Sequence, residues 1–214
     1  MTHVFAPNEI ELANGNPFSP AHPDHRMLDL ESIAYSLAGV YRYGSHSRPR
    51  LTVAEHAVFV SSKLRRLGCS LSLQLAGLHH DDTEALNGIG DVQRPAKGLL
   101  DETFHERERH IDHAVWRALA WPDKNRDPLW QTVQLRDPLL KRVDTWACLF
   151  EARLVMRSRG EGWEQTVERD AGAHPIPTDD GDGLDFWGPD DAERRFINRH
   201  DTLVWESLRL WVAA

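Results

Sequence analysis

Leu71-Ser-Leu-Gln-Leu-Ala-Gly-Leu78-His-His-Asp-Asp-Thr-Glu84-Ala-Leu86 is the stretch on which the fold turns. Ser70 can cap a helix here and Asn87-Gly88 can stop it, so the pattern predicts one helix over 71–86. Its first half is apolar on most sides, which places it in the middle of a core. Its second half carries imidazoles and carboxylates, and an ionised carboxylate in such a place is costly unless something positive meets it.

The neighbouring segments supply the rest of a bundle. Thr52-Val-Ala-Glu55 reads as a capping box that opens a helix to about Leu67, with Gly68 ending it. Before it, Leu30, Ile33, Ala34, Leu37 and Ala38 recur at helical spacing behind a possible N-cap, Asp29. Residues 1–27 hold Pro7, Pro17, Pro20 and Pro23 and read as an extended lead-in with turns. Downstream, Pro95 begins another helical stretch, and Phe104 to Ala120 is amphipathic and highly charged until Trp121-Pro122 breaks it. A short helix is expected over 128–135. A long one runs from Pro138 to about Arg159, a loop covers 160–186, and Pro189 opens a last helix to about Trp211. No internal repeat and no convincing strand stands out. The fold class is all-α in a single domain: lead-in 1–27, core 28–160, and 161–214 as a loop and C-terminal helix packed on that core.

Composition narrows the function. The 214 residues carry 33 acidic against 25 basic side chains, a net charge of −8. That balance argues against a nucleic-acid partner, although a local basic pocket for a small anion remains compatible with it. No apolar run is long enough to span a bilayer and no signal segment opens the chain, so no membrane partner and a cytoplasmic location are expected. Cys69 and Cys148 form no disulfide framework or zinc motif, and most of the eight tryptophans read as packing residues. The twelve histidines are the unusual feature, because histidine is the commonest metal ligand.

His56 lies one turn into its helix, His80-Asp81 sits late in the apolar helix, and Asp144 follows Leu139, Leu140 and Val143. Each alone is more often a hydrogen-bonded or paired core residue than a ligand. Together, in the order His, His-Asp, Asp on successive helices, they could satisfy one another around a divalent cation. Mixed nitrogen and oxygen donors suit Zn, Mn, Fe, Co or Ni, with Mg also possible. The helix bearing His105, His110 and His113 alternates Glu106, Arg107, Glu108 and Arg109, which reads as a solvated, ion-paired face rather than a second metal site.

His80-Asp-Asp-Thr-Glu-Ala85, Gly90-Asp91 and Arg94-Pro-Ala-Lys97 resemble the signature of HD-domain nucleotide phosphohydrolases. So do Asp29 to Ala34, Arg42-Tyr43-Gly-Ser-His46, Val53-Ala-Glu-His56, Phe104 to Glu108, Asp144 through Arg153, and Phe186 to Pro189. His80-Asp81 is the register that sets Glu84 and Ala85 correctly, which leaves His79 as a supporting or packing residue. Within that superfamily the chain looks most like phage dATP triphosphohydrolases and bacterial 5′-deoxynucleotidases. The resemblance implies an HD-domain helical bundle, a divalent metal on His56, His80, Asp81 and Asp144, and a homo-oligomer. It further implies Glu84 as the catalytic carboxylate, with Asp91 a second acid or base. Arg42, His46 and Lys97 would lie near phosphates and Tyr43 near base or sugar; the plainer alternatives are a solvated carboxylate, surface cations and a packed loop aromatic. The implied reaction is hydrolysis at the α-phosphorus of a deoxynucleotide. A dATP-leaning triphosphohydrolase comes first, then a 5′-deoxynucleotidase, and a non-catalytic nucleotide-binding module is the reading from a different class.

Overall fold

The computed structural model describes residues 5–119, 135–163 and 183–212. The helices among them are α1 (Leu30–Gly39), α2 (Val53–Arg66), α3 (Leu71–Leu78), α4 (Thr83–Leu86), α5 (Arg94–Lys97), α6 (Glu102–Ala118), α7 (Pro138–Val155) and α8 (Pro189–Val212). The protein is all-α, as the periodicity predicts, and its body is single. The core pairs α2 with α3. α1 and α8 pack against each other and α2, α8 also reaches α3, and α7 packs on α2 and α3. No helix among the described residues is long and apolar enough to cross a membrane.

Local chemistry sets most boundaries. The Asp29 carboxylate accepts from Ser32 N at 2.7 Å, so α1 starts there and buries Ile33, Ala34, Leu37 and Ala38 on one face. Ser70 Oγ accepts from Leu73 N at 3.2 Å and opens α3. Gly77 allows the close α2–α3 contact, since a Cβ there would stand 2.4 Å from Leu64 Cδ1. Asp137 accepts from Leu139 N at 2.7 Å with Pro138 at the first helical position, and so begins α7. Ala192, Phe196 and Leu203 give α8 a fully buried face. Each large apolar side chain buried this way contributes roughly 1.5–3 kcal/mol.

Four expectations need correction or completion. The helix predicted over 71–86 is two helices, broken at His79–Asp82. His80 Nδ1 takes the carbonyl of Gly77 at 2.9 Å, the acceptor that a continuing helix would offer to the Asp81 N–H. The lead-in is not strand-free: Ile10–Glu11 pairs antiparallel with Pro17–Phe18, and Phe18 and Leu12 enter the core. α7 stops at Val155, short of Arg159, where the Val155 carbonyl accepts from Arg48 N at 2.8 Å and Met156 turns extended. The capping box at Thr52 is half formed. Thr52 Oγ1 accepts from Glu55 N at 3.1 Å, but the Glu55 carboxylate instead takes the N–H groups of Asp185, Phe186 and Trp187, each at 2.8 Å. It thereby pins the segment leading into α8. The short helix expected at 128–135 lies, Leu135 apart, outside the described residues, as does most of the 160–186 loop.

Candidate metal centre

His56, His80, Asp81 and Asp144 come from α2, the α3–α4 turn and α7, and the fold brings all four together. His56 Nε2 lies 3.2 Å from His80 Nε2, 3.6 Å from Asp81 Oδ2 and 3.4 Å from Asp144 Oδ1. His80 Nε2 lies 3.4 Å from Asp81 Oδ2 and 3.5 Å from Asp144 Oδ1. Neighbouring donors around an ion bonded at roughly 2.0–2.3 Å stand about 2.9–3.7 Å apart, so His56, His80 and Asp81, which converge as one ligand group, are spaced for a first-row divalent cation, with Asp144 within reach of both imidazoles.

The imidazole tautomers point the same way. His56 Nδ1 donates to Glu151 Oε1 at 2.5 Å, and His80 Nδ1 donates to the Gly77 carbonyl. Each Nε2 is then left with its lone pair, and the two lone pairs face each other. Such an arrangement needs a cation or a shared proton between them. Without an ion the proton supplies it: against the opposing effect of burial, the Asp81 and Asp144 carboxylates push His80 up to about 9. Asp144 is held well below the usual carboxylate range, burial again opposing, by hydrogen bonds from both imidazoles.

Glu84 stands on α4 beside this cluster, 5% exposed, and its Oε2 has no hydrogen-bond partner. Burial, with Asp81 and Asp91 nearby, holds its carboxyl well above the ordinary range despite Arg42 and Lys97. This environment favours the protonated form of Glu84 over the ionised one. Asp91 is half-buried and close enough to act on Glu84. Lys97 Nζ lies 3.4 Å from Glu108 Oε1 and feels Asp81 and Glu84, so its charge faces the same acidic pocket.

The remaining residues singled out in the sequence sit differently. Arg42 is buried behind the cluster, its Nε 2.8 Å from Glu151 Oε2 and one terminal nitrogen 3.4 Å from Asp81 Oδ2. Tyr43 is also buried; its hydroxyl lies 2.7 Å from the Cys148 carbonyl and 3.1 Å from Glu151 Oε2. His46 is exposed at the end of the same loop. That loop abuts the segment before Lys97, since a Cβ on Gly44 would meet Gln93 Nε2.

Glu151 and His200 matter here without having been assigned in the sequence, whereas His79 takes the supporting place expected of it. Glu151 is fully buried and joins His56, Arg42 and Tyr43. It follows Asp144 by two helical turns, so the same-face rule was the signal that could have found it. His79 bonds Asp82 Oδ2 through Nδ1 at 2.7 Å and His200 Nδ1 through Nε2 at 2.9 Å, which braces the turn presenting His80 and Asp81. Nothing in the sequence marks His200. The charged face of α6 is ion-paired in part: Arg109 lies 3.0 Å from Glu102 and His105 lies 3.4 Å from Glu108. No protein-family model matches the chain, and no curated protein matches it.

Proposed function

We propose that this protein is a divalent-metal-dependent phosphohydrolase of the HD-domain kind that cleaves deoxynucleotides at the α-phosphorus. The observation that carries the reading is the convergence of the His56 and His80 Nε2 atoms with Asp81 and Asp144, next to a buried Glu84 whose Oε2 has no hydrogen-bond partner. The four residues would hold Zn, Mn, Co or a similar ion, which would supply Lewis acidity toward a phosphoryl oxygen and toward water. Asp81 and Asp144 are about one-fifth exposed, so the cluster is open to solvent and to a phosphate on that side.

The chain's own groups then have distinct tasks. Glu151 and the Gly77 carbonyl fix the imidazoles. Lys97 offers a point charge to a phosphate oxygen. Water adds to the α-phosphorus, the bond to O5′ breaks with its electron pair passing to O5′, the Glu84 proton goes to that oxygen, and a proton from the added water passes to the Glu84 carboxylate and restores it. With a deoxynucleoside triphosphate, dATP first, the products are deoxynucleoside and triphosphate; the resemblance supports this substrate. One observation favours the 5′-deoxynucleotidase instead. Arg42 is held by Glu151 and Asp81, which leaves less free positive charge for phosphates beyond the first.

The test is product analysis over all dNTPs and dNMPs with Mn, Co, Zn and Mg, run beside His80→Ala. Triphosphate from dATP, lost in the variant, supports the triphosphohydrolase. Phosphate from dAMP with dATP untouched replaces it with the nucleotidase. Absence of turnover with every metal overturns the enzyme and leaves a nucleotide-binding module.

A further inference from the structure

A cavity of about 370 Å³ opens between the turn at His22 to His25 and the second half of α6, and its lining shares no residue with the metal cluster. His22, His25, His110, His113 and Arg117 line it, and among the described residues no carboxylate does. On a chain of net charge −8, a wall whose polar side chains are all cationic or imidazole groups, set among Ala21, Pro23 and Ala114, is out of keeping with the average surface. Asp24 lies 3.7 Å from His25 Nδ1 but is taken by Arg26 at 2.6 Å. On α6 itself, Glu106 and Glu102 are occupied with Arg109, at 4.0 and 3.0 Å.

A metal ion does not explain this wall. Among the described residues the group of potential ligands that converges within 4.8 Å is His56, His80 and Asp81, and the cavity histidines do not join any such group. Separated donors around an open volume suit a larger, multiply charged anion. The Arg117 guanidinium can fork onto two oxygens of one phosphate, while imidazoles reach others along a chain. We propose that this cavity binds the polyphosphate chain of a small anion, as inorganic polyphosphate or as the phosphate tail of a nucleotide. The site is independent of the hydrolase reading.

Proton linkage gives the site a signature. Burial, Arg117, His110 and His25 together hold the His113 ring below its ordinary value. An anion between these groups relieves that repulsion, so binding takes up protons and tightens as pH falls from 8 to 6.

The test titrates inorganic triphosphate, dATP and deoxyadenosine into the full chain in EDTA at low salt, by calorimetry and by histidine ring NMR. His80→Ala serves as the control that breaks the other cluster. Triphosphate should bind wild type and His80→Ala alike, shift the ring signals of His110 and His113, and bind more weakly at pH 8 than at pH 6. Arg117→Ala should weaken it by about tenfold to a hundredfold, the loss of a charge-assisted contact. Arg117 is exposed, so this variant retains the fold, which circular dichroism checks. Equal binding of triphosphate and dATP identifies the free chain as the ligand, and tighter binding of dATP identifies the nucleotide. Absence of triphosphate binding, or binding lost in His80→Ala and kept in Arg117→Ala, overturns the proposal.

Discussion

Replacing Glu151 with glutamine keeps the shape of the side chain and removes half of what it does. The carboxylate accepts from His56 Nδ1 on one oxygen and from Arg42 Nε on the other, with the Tyr43 hydroxyl 3.1 Å away. Glutamine has one oxygen. If its amide faces His56, the ring must carry its proton on Nε2, the nitrogen aimed at the metal position. If it faces Arg42, a buried guanidinium meets a donor and keeps only Asp81 at 3.4 Å. Breaking one side of a buried pair costs about 3–5 kcal/mol, and the surviving Asp81 contact points to the lower end. At roughly 2–4 °C per kcal/mol for a chain of this size, the melting temperature should fall by about 6–12 °C. Metal affinity should fall by about 10–100-fold, as when the hydrogen-bond partner of a ligating histidine is lost. The Glu151 carboxyl is depressed below its ordinary value, Arg42 and His56 outweighing burial. Its contribution is therefore full above the ordinary carboxylate range and is lost as pH falls, so the gap between variant and wild type should close in acid. Melts followed by circular dichroism in EDTA, and Mn²⁺ titration by calorimetry, measure the two effects. Tyr43→Phe is the control, costing about 0.5–1.5 kcal/mol and sparing the His56 tautomer. Wild-type metal affinity in Glu151→Gln, or equal metal loss in Tyr43→Phe, would refute the tautomer argument.

The other predictions concern the cluster's acids. Glu84→Gln should raise metal-free stability at pH 8 by about 1–3 kcal/mol, because a buried carboxyl with one oxygen unpartnered is destabilising once ionised. The sign follows from its raised value: the wild-type group is comfortable when protonated and costs stability as pH rises, so the gain should vanish in acid. A variant less stable than wild type at pH 8 contradicts this. Glu84→Ala should retain metal while turnover falls by about 10²–10⁴-fold, read by calorimetry and product release. Asp144→Ala should lose the ion and turnover together and return the His80 ring toward its ordinary titration, seen by NMR in EDTA; metal binding at wild-type affinity would remove Asp144 from the ligand set.

The helices were legible because their signals are local. Asp29, Ser70 and Asp137 each cap where a short polar side chain precedes an apolar period. What escaped was decided by partners far away in the chain. Glu55 has the spacing of a capping box, yet its carboxylate serves three N–H groups some 130 residues later, an outcome no local pattern encodes. The break at His79–Asp82 escaped for a related reason. Helical periodicity assumes that each carbonyl waits for the N–H four residues on, and the His80 ring takes the Gly77 carbonyl first.

At the site the sequence supplied an inventory of charges but not their neighbours. Arg42 and Tyr43 stood in a loop that looked open to a substrate, and both turn inward to Glu151 instead. Asp112 sits on the helix read as a solvated face, yet burial, with Asp82, Glu108 and Asp81 around it, holds its carboxyl well above the ordinary range. Asp82 and Glu84 are raised too, burial being the leading cause for each. The site thus gathers more carboxylates than Arg42, Lys97 and Lys141, the last 3.7 Å from Asp144, can neutralise. A folded chain can settle such an excess by keeping protons on some of the acids or by admitting a cation. The two solutions exclude each other by degrees: a divalent charge beside Asp81 and Asp144 lowers every neighbouring carboxyl. Metal uptake should therefore expel protons, and Glu84 would be the group whose proton is loosened where a leaving oxygen needs one.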